Sequence, residues 1–240
     1  RQRQMCIRDR DDASQIAKYS PMEGHRCEGE EQCGMHINCC NANGPRAFAL
    51  IPDFAVKKMG NEVYVNYYGD MSASLENGHN KVLVKQHTTY PVSNVIDITI
   101  DVTKENVFGL HLRVPVWSAQ TVITLNGEEL KDICPGTYHA ITRKWKKGDH
   151  IQIILDMPAR LLEQNQMQAI VRGPIVLARD SRFNDGFVDE TLVVDSEDGI
   201  VKAEVDSVPG FAWMRLKVPV TVGTDSVSYT HLTLPTKLEV

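Results

Sequence analysis

Long apolar runs are missing from this chain of 240 residues. No stretch approaches the roughly 18 consecutive apolar residues that a membrane-spanning helix needs, so such a helix is excluded. An excess of positive charge is missing too. Lys and Arg number 26 against 31 Asp and Glu, a formal charge of -5. A groove for nucleic acid would need the opposite balance. There is no internal repeat, no low-complexity segment and no visible signal peptide. A hydrophobic fraction of 42% is too high for a mainly disordered chain, and it suffices for a sizeable core.

The two ends read differently from the middle. Val227-Ser-Tyr-Thr-His-Leu-Thr-Leu-Pro-Thr236 matches the translation of a transposase adapter used in DNA library preparation. Met5-Cys-Ile-Arg-Asp9 matches the opposite strand of the same adapter. Segments of this kind are set aside in reasoning about fold. The expected division is 1–10 and 226–240 as adapter-derived, with natural sequence between them. Within that, 11–60 is the end of one domain, 61–166 is a β-sandwich, and 167–225 holds further strands that complete the sandwich or begin a second one.

Texture supports this division. Residues 11–43 are polar and lack apolar periodicity, which reads as loop. Asn43-Gly44-Pro45 then opens a helix whose apolar face is Phe48, Leu50, Ile51, Phe54, Ala55 and Met59. Gly60 ends it and Pro52 bends or splits it. From Glu62 the period changes to two. Val63, Val65 and Tyr67 alternate with polar residues, as do Val82 and Val84, Ile96 to Val102, Leu110 to Val114, Val122 and Leu125, and Ile151 to Leu155. Turn residues separate the runs, and Asn126-Gly127 is a tight-hairpin signal because both residues accept positive φ. Such spacing predicts an antiparallel sandwich. Trp117, Trp145 and Tyr138 are expected as fillers of its core, with an exposed sugar-stacking role as the alternative.

The chemistry concentrates in the polar loop. Cys27, Cys33, Cys39 and Cys40 lie there with His25, His36, Glu28, Glu30 and Glu31, while Cys134 stands apart. Thiolates and imidazoles are good zinc ligands. Paired Cys-x2-Cys knuckles are absent, so this is no zinc finger. Four readings stand side by side. The loop closes its own zinc site, or shares one with ligands from elsewhere in a longer protein, or forms disulfides, or holds cysteines with no special role. His79, His87, His111, His139 and His150 show no metal spacing. The acidic stretch of Asp180, Asp185, Asp189 and Glu190 has no EF-hand spacing, and the basic run Arg143-Lys144-x-Lys146-Lys147 reads as a solvated hairpin edge.

Met35-His-Ile-Asn-Cys39-Cys40-Asn-Ala-Asn43 resembles a motif of glycoside hydrolase family 127, the β-L-arabinofuranosidase-like enzymes. Asn41-Ala42 stands where that family often has two prolines. Further likenesses follow in family order: Leu112-Arg-Val-Pro-Val-Trp117, Thr124-Leu-Asn-Gly127, Trp145-x-x-Gly148-Asp149 and Arg172-Gly-Pro-Ile-Val176. The resemblance implies a mainly β chain: an antiparallel, jelly-roll-like sandwich preceded by a Cys-rich loop and one helix from the end of an (α/α)6 barrel. It also implies a retaining glycosidase of β-L-arabinofuranosides or related plant glycosides. Cys39 would be the nucleophile and a zinc ligand, and Cys40 a second zinc ligand. The acid/base Glu and a Glu-x-Cys pair would lie upstream. Glu31-Gln32-Cys33 is too close to Cys39 to be that pair. The expected partner is an oligosaccharide or glycoconjugate, with no nucleic acid and no membrane. The competing expectation is a non-catalytic sandwich module whose cysteine loop binds zinc structurally or is inert. Oligomeric state and localisation are not legible.

Overall fold

The period-two runs become strands, and their apolar positions become one shared interior. A computed structural model describes residues 49–164, 167–179, 193–194, 196–207, 214–222 and 226–233. The cysteine loop, with Cys39 and Cys40, and the acidic stretch around Asp185 lie outside these residues.

Helix α1 covers described residues 49–55, and Leu50, Ile51 and Phe54 are exposed on it. The helix is shorter than its apolar pattern suggests. Val56–Met59 is a strand, β1, so Met59 and Gly60 belong to a hairpin. The reason is local: Gly60 takes φ +61, a turn conformation, and lets β1 pair back on β2 (Glu62–Val65). Residues 49–54 belong to a different unit from Ala55–Pro235, which holds all the strands.

The strands β3 (Met71–Asn77), β4 (Asn80–His87), β5 (Val95–Val102), β6 (Asn106–Arg113), β7 (Val122–Leu125), β8 (Glu128–Glu129), β9 (Tyr138–Trp145) and β10 (Asp149–Ile154) complete two sheets. One has the order β1-β2-β6-β9 and the other β3-β4-β5-β10-β7-β8. Pairing is antiparallel throughout, except that β2 runs parallel to β6. Val63, Val65, Phe108, Leu110, Leu112 and Trp145 from the first sheet share one buried cluster with Val82, Val84, Ile96, Ile98, Ile100, Ile151 and Ile153 from the second. Each such side chain contributes about 1.5–3 kcal/mol on burial. The expected mainly β sandwich is therefore the observed one.

Beyond Pro158 the strands build a third sheet: β11 (Ala159–Gln164), β12 (Met167–Arg172), β13 (Ile175–Arg179), β14 (Val193–Val194), β15 (Ser196–Glu197), β16 (Ile200–Val201), β17 (Glu204–Ser207), β18 (Met214–Val222) and β19 (Ser226–Thr233). Ala159, Ile170, Leu177, Val201, Leu216, Val218 and Val220 form its own buried cluster. Most of the string that matches the adapter lies in β19, which pairs antiparallel with β18 over Ser226–Thr233. β19 lies between β18 and β13 in the sheet, and a string rich in β-branched and aromatic residues suits a strand.

Candidate functional site

The residues that the motifs bring forward divide into two groups. One group is outside the described residues: Cys39 and Cys40, with the surrounding His and Glu side chains. The other group is described, and its members hold the sandwich together.

Trp145 ends β9 fully buried, and its indole N–H donates to the Phe108 carbonyl at 3.0 Å. The Phe108 ring stacks against it with centroids 5.6 Å apart, and the Arg143 guanidinium sits 5.5 Å from the Trp145 ring. Asp149 is buried, and its carboxylate accepts from the Asn126 amide at 2.9 Å and from the Lys146 N–H at 2.8 Å. Asn126 Oδ1 in turn accepts from the His150 N–H at 2.8 Å. The Asn-Gly turn has φ +51 and +88 at Asn126 and Gly127, and it joins β7 to β8 as the sequence predicts. Arg172 reaches across from β12 and donates to the carbonyls of Pro91 and Val92, both at 3.1 Å. Burial lowers its pKa from the ordinary value. Tyr68 donates its hydroxyl to the Arg113 carbonyl at 2.6 Å, and burial pushes that phenol's pKa up strongly. These contacts position strands and turns; none of them forms a reactive pair.

Trp117 packs against the sandwich core as expected. Tyr138 does not. It is 43% exposed, which corrects the expectation of a core filler. The physical reason is parity: in a strand, residues seven apart face opposite sides, so Tyr138 and Trp145 cannot both point inward.

Tyr138 lies on the solvent face of the first sheet, where an ordered cluster surrounds it. His111 Nε2 is 2.7 Å from Glu62 Oε2. The Tyr64 ring stacks on the His111 ring at 4.3 Å, nearly parallel at 9°. The Tyr138 ring meets Tyr64 edge-on at 5.5 Å, and its hydroxyl donates to Asn66 Oδ1 at 2.6 Å. Gly109 makes room for the carboxylate: a Cβ there would fall within 1.7 Å of Glu62 Oε2. No sequence motif marks this cluster, because Glu62 and His111 are 49 residues apart. The parallel register of β2 on β6 places Tyr64 beside His111. Among the described residues, no group of three or more His, Cys, Asp or Glu could hold a metal ion.

The fold and the arrangement of these residues define a two-sheet β-sandwich domain followed by a third sheet with its own core. Residues 62–157 match the family model described as "Beta-L-arabinofuranosidase, GH127 middle domain". That match bears out the resemblance read from the motifs. No curated protein matches the sequence. Among solved structures, a GH127 β-L-arabinofuranosidase from Geobacillus stearothermophilus T6 is similar at 20% identity and a TM-score of 0.70, over 84% of this chain and 35% of that one. A GH127 β-arabinofuranosidase is similar at 22% identity and a TM-score of 0.70, over 83% of this chain and 36% of that one. A third, a glycoside hydrolase, gives 22% identity and a TM-score of 0.71, over 88% and 38%. The chain thus spans little more than a third of the length of these structures.

Proposed function

We propose that this chain is the C-terminal side of the catalytic part, with the sandwich that follows it, of a retaining glycoside hydrolase acting on β-L-arabinofuranosides or related plant glycosides. The observation that carries this reading is the match of residues 62–157 to the GH127 middle domain. The motifs outside that segment, at Cys39-Cys40 and at Arg172-Gly173-Pro174, add to it.

Cys39 is the proposed nucleophile, and Cys39 and Cys40 are proposed zinc ligands. Two adjacent thiolates are a donor set that suits zinc. When bound, zinc would keep a thiol ionised at neutral pH. The Cys39 thiolate would then attack the anomeric carbon and displace the leaving oxygen, which takes a proton from a carboxylic acid on the opposite side. Water would release the sugar from the sulfur in the second step. The described residues of 62–157 build the sandwich that follows in the chain.

The test is release of p-nitrophenol from its β-L-arabinofuranoside by a longer protein that includes this chain. Cys39→Ser should remove turnover, by about a factor of 10⁴ or more, and leave the sandwich folded. Undiminished turnover in that variant would sink the assignment of Cys39. No turnover by a folded, zinc-loaded protein would move the reading toward another glycoside or a non-catalytic module.

A further inference from the structure

We propose that the solvent face of the first sheet, around Tyr64, His111 and Tyr138, is a binding platform for a neutral saccharide.

The first argument is that the cluster is organised more than stability requires. Ion pairs in contact with water contribute little to folding. Yet the Glu62 and His111 side chains, 40% and 19% exposed, are held at 2.7 Å over a glycine that leaves space for the carboxylate. Tyr138 is likewise fixed by its hydroxyl on Asn66 at 2.6 Å while much of its surface stays in water. Rings held in place in advance lose little freedom when a ligand settles on them.

The second argument is what the face offers. Period-two parity puts Glu62, Tyr64, His111, Arg113 and Tyr138 on one side of the sheet, opposite buried Val63, Val65, Leu110 and Leu112. Ala140, the cross-strand partner of His111, is exposed and adds little bulk. Aromatic rings accept the apolar C–H faces of a sugar, and their polar tips stay wet. A carboxylate, an amide, an imidazole and a guanidinium around them supply both acceptors and donors. This charge pattern selects the ligand class. Glu62 shares the face with Lys57 and Arg113, so both signs of charge are present, and the mixed charges disfavour a purely apolar partner. A polyhydroxylated neutral ligand matches both the rings and the mixed rim.

The proposal rests on the glycosidase reading only for the choice of probes. The 240-residue chain is run in native gels containing arabinan, arabinogalactan or xylan, with polygalacturonate as the anionic control. At least one neutral polysaccharide should retard it. Tyr138→Ala should weaken that retardation about tenfold at unchanged thermal midpoint, while Tyr138→Phe keeps most of it. Equal mobility in every gel overturns the proposal. So does equal retardation of Tyr138→Ala and the parent chain, or retardation by polygalacturonate alone. Because no turnover is read, the two readings separate. Binding with no hydrolysis by the longer protein leaves the platform standing, and hydrolysis without binding by this face removes the platform alone.

Discussion

Asp149 shows how a motif residue can be structural. Its carboxylate is buried where β10 begins and takes hydrogen bonds from the Asn126 side chain and the Lys146 backbone. Removing it leaves those donors without their acceptor in a site that water reaches poorly. Hydrogen bonds to charged groups contribute about 1.5–3 kcal/mol, so Asp149→Ala should destabilise the sandwich by about that amount. Equilibrium urea unfolding checks it, and a change below about 0.5 kcal/mol would contradict the role given to the carboxylate. Tyr138 is the opposite case. Its position outside the core was legible from parity with Trp145, since seven residues of strand reverse the face. The partners that make its face a cluster were not legible. They come from β2 and β6, and nothing in the local sequence announces a parallel pairing.

At the scale of elements, Arg172 links the two cores. Ala159 and Ile170 belong to the third-sheet cluster, whereas Val95 to Val102 lies in the sandwich. The guanidinium of Arg172 bridges them by donating to Pro91 and Val92 in the β4–β5 loop, and Val92 packs against the third-sheet cluster. Next to it, Gly173 has φ +56, and a Cβ there would fall 2.7 Å from the Met157 side chain. The expected effect of Arg172→Ala is to loosen the third sheet from the sandwich before the sandwich itself unfolds. Hydrogen exchange measures this: amides of β11 to β13 should exchange faster, while those of β5 and β10 keep their protection. Uniform loss of protection in all five strands would show that the two cores unfold as one.

For the molecule as a whole, acidification should weaken the fold. Burial lowers the His139 pKa below its ordinary 6.5, although Asp132 raises it in part. The unfolded chain therefore binds the proton more readily, and stability falls as pH drops below about 6.5. A hydrogen bond from Lys85 lowers the Asp101 pKa, so its contribution is present at neutral pH and is lost only at more acidic values. The urea midpoint should decline between about pH 7.5 and pH 5.5, and His139→Gln should flatten that decline. A midpoint equally sensitive to pH in the variant would assign the effect to other groups.

The sequence by itself determined the mainly β class, the strand parity and the Asn126-Gly127 hairpin, because these depend on neighbours two residues apart and on local φ. The same local order carried the family motifs. Only the tertiary structure decided that β2 lies parallel to β6 and that Glu62, Tyr64 and His111 meet. Those outcomes depend on which strands find each other across tens of residues. That choice is made by burial of the shared core, summed over both sheets.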